Sequence, residues 1–147
     1  MNNFSKFFAQ VCLFLLIILW VYAAISKLAD FSQFKREMNN QRLWPAVKVF
    51  LTYCLPPIEI ATALMLTFSR SLLKGLYTSL VLLILFTGYI ALALAHFFKH
   101  VPCPCGGILT NMTWKTHVIF NLILIILTVY PIFIIKRKEP SVTPKKN

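Results

Sequence analysis

Charge is scarce in this 147-residue sequence, and negative charge is scarcest. Charged side chains make up 13% of the chain, where a soluble domain carries about 25%. Only four residues are acidic, against fifteen Lys and Arg. Glycine occurs four times, which excludes a collagen-like repeat. The apolar residues, 59% of the total, come in long blocks, which excludes a disordered chain. Four cysteines set among such blocks do not describe a disulfide-stapled secreted domain. The same shortages argue against an ordinary soluble enzyme. With a mean hydropathy of +0.74, the chain reads as an integral membrane protein.

The net charge of +11 is not accompanied by any nucleic-acid-binding motif, so no nucleic-acid partner is expected. The basic residues lie between and after the apolar blocks. That distribution fits anionic lipid head groups and control of topology.

Four segments have the roughly 20 apolar residues that a spanning helix needs. They are expected at about 7–25, 47–68, 72–96 and 114–135. None alternates in the way of a transmembrane barrel strand, and helices satisfy their own backbone in lipid. The fold class expected is therefore all-α, an integral membrane four-helix bundle over residues 1–135. Lys6 and Val21-Tyr22-Ala23 give the first run some signal-peptide character, but its length favours a retained span. Small residues such as Ala61, Ala63, Ala91 and Ala93 are expected at helix contacts.

Four spans place both termini on one side. Basic residues are nearly balanced across the membrane, and Lys136-Arg137-Lys138 after the last span favours cytoplasmic termini. The loops before the second and fourth spans then face outward, periplasmically in a bacterial inner membrane. The first of these, Ser26 to Ala46, is either an amphipathic segment at the interface or an ordinary polar connection. The basic tail, 136–147, is expected to be disordered.

The cysteines divide into two kinds. Cys12 and Cys54 lie inside apolar runs and read as small buried hydrophobes. Cys103 and Cys105 lie in His100-Val101-Pro102-Cys103-Pro104-Cys105-Gly106-Gly107, whose prolines and glycines mark a turn. Two thiols this close form a dithiol that cycles to a disulfide. The ring is small and strained, and strained disulfides are the more oxidising ones. Lys99, His100 and Lys115 favour the thiolate. Cys103 and Cys105 are therefore the candidate redox pair. A metal site using these cysteines with His100 and His96 or His117 and a purely structural pair stay open as alternatives.

Few polar residues lie within the spans. Glu59, the one acid among them, follows Pro56-Pro57 and is expected to face the bundle interior. It serves there as a proton acceptor or hydrogen-bond anchor, or as a structural tie to another helix. His117 and Asn121 are four apart and share one helix face. His117 either assists thiol deprotonation or faces lipid head groups. At the end of the first span, Lys27 is expected to snorkel, with Asp30 as its partner. Lys27, Asp30 and Asn121 are the candidate binding residues, and Glu59 and His117 the candidate supporting residues of the redox pair.

Together these motifs resemble the MauE branch of the DoxX-like membrane proteins. The likeness rests on Ser26-Lys27-Leu28-Ala29-Asp30-Phe31 with Phe34, on Pro57-Ile58-Glu59, on Cys103-Pro104-Cys105-Gly106-Gly107, and on Trp114, His117 and Asn121. It covers about Phe7 to Ile135 and implies a compact four-helix membrane bundle. It also implies thiol-disulfide traffic at the membrane, as in maturation of the disulfide-rich periplasmic subunit of methylamine dehydrogenase. The bundle is similar to quinone-linked disulfide enzymes, which makes a quinone the one cofactor implied. Those enzymes use C-x-x-C and commonly a second outer pair, and this chain has neither. The function expected is a redox accessory protein that exchanges a disulfide with a periplasmic thiol protein. Whether it turns over as a thiol-disulfide oxidoreductase is left open, as is self-association. A membrane scaffold and a small metal-handling or transport protein are the alternatives.

Overall fold

A computed structural model of the chain describes residues 3–41, 43–94 and 114–138. All regular structure among the described residues is helical: α1 (Asn3–Ala29), α2 (Phe31–Asn39), α3 (Pro45–Thr67), α4 (Leu72–Leu94) and α5 (Trp114–Lys138). The protein is all-α. Four of these helices, all but α2, are long and apolar enough to cross a membrane. A helix of 27 residues such as α1 extends about 40 Å at 1.5 Å per residue, more than the hydrocarbon thickness of about 30 Å.

Burial follows one face of each helix. On α1 the buried positions are Cys12, Leu16, Trp20, Ala24 and Lys27, spaced by four, four, four and three. On α5, His117, Asn121, Leu124, Thr128 and Ile132 repeat the pattern. The opposite faces carry exposed Phe14, Ile18, Ile126 and Phe133. Large apolar side chains turned outward on this scale need lipid around them.

The helices form a ring in which α1 packs on α3 and α5, and α4 packs on α3 and α5. Leu16, Trp20, Leu66, Leu76, Leu83 and Leu124 meet at its centre. At the end holding the α1 N-terminus, Ser5 Oγ lies 3.2 Å from Tyr130 Oη, and Phe8 meets the Tyr130 ring edge-on at 5.0 Å. On α5, which runs three residues past the expected 135 to Lys138, Lys136 Nζ stands 5.3 Å over the Tyr77 ring.

The α3–α4 turn is tight. Ser71 Oγ donates to Met65 O at 3.0 Å, closing the end of α3. A β-carbon on Gly75 would stand 2.9 Å from Leu66 N and from the Met65 carbonyl carbon, so α3 and α4 approach as closely as their backbones allow. The expected alanine contacts differ. Ala63 is buried, but Ala61 and Ala91 face outward, and the side chain of Ala93 lies outside the described residues. Gly75 and the fully buried Ala24 supply the close approaches instead, because they occupy the inward stripe of their helices.

The segment between α1 and α3 contains a helix. Asp30 leaves helical geometry and its carboxylate accepts from Gln33 N at 2.9 Å, capping α2. Phe34 and Met38, four apart, point inward onto Leu55. α2 runs antiparallel beside the first half of α3: Phe31 meets Tyr53 at 5.7 Å, and eight residues on, Lys48 Nζ donates to Asn39 O at 2.7 Å. Pro45 opens α3 at its first position, where the missing N–H costs nothing.

Candidate functional site

Most buried hydroxyls are satisfied within their own helix. Thr62 donates to Ile58 O at 2.8 Å and Thr128 to Leu124 O at 2.7 Å. Buried polar side chains also pair between different helices. Trp20 Nε1 of α1 donates to Ser79 Oγ of α4 at 2.9 Å, across the centre of the ring. Lys27 Nζ of α1 donates to Glu59 Oε1 of α3 at 2.8 Å, with 4% and 1% of the side chains exposed.

The ammonium is well held. It also donates to Ala23 O at 3.1 Å and lies 5.9 Å from the Phe34 ring centroid. The carboxylate is held on one side only: among the described residues nothing hydrogen-bonds Glu59 Oε2. Buried charges are retained only when paired, and an unpartnered oxygen beside a cavity calls for a further polar occupant.

Such a cavity exists. About 50 Å³ in volume, it is bordered by Trp20, Lys27, Glu59, Phe86, His117 and Asn121, which is room for water. His117 and Asn121 are 3% and 5% exposed, so His117 faces the interior and not the head groups. Lys27, Glu59, His117 and Asn121 thus converge from α1, α3 and α5.

Two sequence expectations fail here. Lys27 does not snorkel and does not pair with Asp30. Asp30 ends α1 and turns its carboxylate to Gln33 N and to Ser32 Oγ, away from the cluster. Those hydrogen bonds, that from Gln33 N–H first, hold its carboxyl below the usual carboxylate range. Cys12 and Cys54 are free thiols, one buried and one half-buried. Cys103 and Cys105 lie outside the described residues, as do His96 and His100 of the metal alternative. Sequence reasoning missed Trp20 and Ser79; the signal for Trp20 was its place seven residues before Lys27, on the same helix face.

A family model described as "Methylamine utilisation protein MauE" matches residues 5–134. The chain belongs to the MauE family. The match begins within α1, ends within α5 and includes Cys103 and Cys105. Family membership and the four apolar helices make this a multi-pass membrane protein related to methylamine utilisation. No curated protein and no solved structure matches the chain.

Proposed function

We propose that this MauE-family protein is a membrane redox accessory protein whose Cys103–Cys105 pair exchanges a disulfide with a periplasmic protein. The observation that carries this reading is the placement of His117 and Asn121. They lie in the first turns of α5, which the C-x-C connection leads into, and they line one cavity with Lys27 and Glu59. In sequence Cys105 precedes His117 of this cluster by twelve residues, and Glu59 Oε2 gives the cluster an acceptor.

In the exchange, the thiolate of one cysteine attacks a disulfide sulfur of the partner and forms a mixed disulfide. The second cysteine then attacks the first, closing the Cys103–Cys105 bond and releasing the partner as a dithiol. The reverse sequence oxidises the partner. Either direction moves two electrons and two protons. His117 takes or returns a proton in this scheme, and Glu59 holds the charge of the cluster. The reading places the termini in the cytoplasm and the loop in the periplasm, at a bacterial inner membrane.

Thiol trapping tests it. A membrane-impermeant maleimide should label Cys103 and Cys105 in intact cells only after mild reduction. One single variant, Cys103→Ser or Cys105→Ser, should accumulate a reductant-sensitive adduct with a periplasmic protein. A thiol state unmoved by oxidant and reductant, with no adduct from either variant, overturns the proposal. Labelling only in permeabilised cells overturns the topology.

A further inference from the structure

Cations gather at the end of the bundle that holds the α1 N-terminus. Lys6 lies in the first turn of α1 and Arg70 in the α3–α4 turn. Lys74 lies in the first turn of α4, and Lys136 and Arg137 in the last turn of α5. All are exposed. The acids among the described residues are Asp30, Glu37 and Glu59, and none lies at this end. Asp30 and Glu37 belong to α2 and its cap, and Glu59 pairs with Lys27. Such a field attracts any anionic surface, and by itself it marks no site.

At one place the structure does more than collect charge. Lys136 Nζ of α5 stands 5.3 Å over the Tyr77 ring of α4. Lys74 precedes Tyr77 by three residues, which puts it on the same face of α4, one turn nearer the end of the bundle. Two helices thus each bring a cation to one exposed phenol. Like charges gathered around one ring repel each other, and an anion set between them turns repulsion into attraction.

The face that continues from these groups is apolar. Val81 and Ile84 extend the stripe of Lys74 and Tyr77, at spacings of three, four and three, and both are exposed. On α5, Phe133 is exposed one turn before Lys136. From Lys74 to Ile84 the helix rises about 15 Å, the depth that the acyl chains of one leaflet fill in a hydrocarbon core of about 30 Å. A free phosphate would use only the cations. A phospholipid uses both features: its phosphate meets the lysines and an acyl chain runs along the stripe. A zwitterionic headgroup brings a cation of its own to this place, so charge selects an anionic one. Tyrosine suits the boundary between headgroup and chain, with an apolar ring and a polar tip.

We propose that Lys74, Tyr77 and Lys136 form a binding site for the headgroup phosphate of one anionic phospholipid, with an acyl chain lying along Val81 and Ile84. The proposal stands apart from the cysteine chemistry, since it uses neither Cys103 nor Cys105.

Native mass spectrometry of the full chain in a neutral detergent, titrated with phosphatidylglycerol or phosphatidylcholine, tests it. The first phosphatidylglycerol should bind more tightly than phosphatidylcholine. Lys74→Gln and Lys136→Gln should each weaken that first binding about fivefold, the worth of one cation at an anionic surface. Neither should change phosphatidylcholine binding. Lys6→Gln, which removes a cation from another helix at the same end, should bind as wild type. Equal affinity for the two lipids overturns the proposal, as does a preference that survives in the Lys74→Gln/Lys136→Gln double variant. A loss in Lys6→Gln as large as in the two site variants also overturns it, by assigning the preference to the general charge of this end. Glycerol 3-phosphate that competes as well as the lipid overturns it too, by assigning the lysines to a free phosphate.

Discussion

Lys27 and Glu59 stand 32 residues apart in sequence and 2.8 Å apart in space, joining α1 to α3 inside the bundle. Both side chains are buried. Removing one partner of a buried pair costs about 3–5 kcal/mol, because the other charge is left uncompensated. Lys27→Met and Glu59→Leu should each lower stability by about that amount. The Lys27→Met/Glu59→Leu double variant should lie within about 1 kcal/mol of wild type, since apolar replacement of a whole buried pair is close to neutral. Reversible unfolding in mixed micelles measures the cycle, and simple additivity would show that the two residues do not act as a pair. The double variant also separates roles: a folded double variant that lacks the proposed disulfide exchange, where wild type has it, shows that the pair does more than tie two helices.

Asp30 couples α2 to pH. Its carboxylate is held below its usual range chiefly by the Gln33 N–H. A depressed carboxylate stabilises the fold above its unfolded pKa, and that contribution disappears as pH falls through the folded value. The protection of the Gln33 amide, judged from its exchange rate relative to the intrinsic rate at each pH, should therefore fall on acidification below the normal aspartate range. Asp30→Asn retains a neutral acceptor at every pH and should flatten this response. An equally steep response in Asp30→Asn would show that another group controls α2.

Gly75 and Gly88, both on α4, should respond in opposite ways to the same substitution. A methyl group on Gly75 would strike the α3 backbone at 2.9 Å, whereas one on Gly88 meets nothing within 4 Å. Overpacking of this kind costs about 1–3 kcal/mol. Gly75→Ala should thus lower the melting temperature of the purified protein, and Gly88→Ala should leave it unchanged or slightly raised. Equal effects would contradict the close approach of α3 and α4.

Much of the bundle is legible along the chain because a membrane span is a local property: enough apolar residues in a row, with the backbone satisfied inside one helix. The bounds shift where apolarity ends before helix does. α1 continues beyond Ile25 through Ser26 and Lys27 to Ala29, because its last turn finds polar partners inside the protein. Helix α2 was legible only as one of two readings. Its inward residues, Phe34 and Met38, are four apart, but whether such a face is used depends on the groove offered by Leu55 and its neighbours on α3.

Partnership was not legible. Asp30 is three residues from Lys27, the spacing of an ion pair on a continuous helix. The chain breaks helix at Asp30 itself, and the ammonium turns to an acid 32 residues away. Alanine content likewise does not locate helix contacts: Ala61 points outward and Ala63 inward because α3 has a single buried stripe. Apolar runs, turn residues and the C-x-C motif are properties of neighbours in the chain, so they yield the spans, the candidate dithiol and the family likeness directly. Which polar residues share a cavity depends on the rotation of each helix about its axis. Packing sets that rotation, and so only the folded bundle brings Lys27, Glu59, His117 and Asn121 to one place and Lys136 to Tyr77 at another.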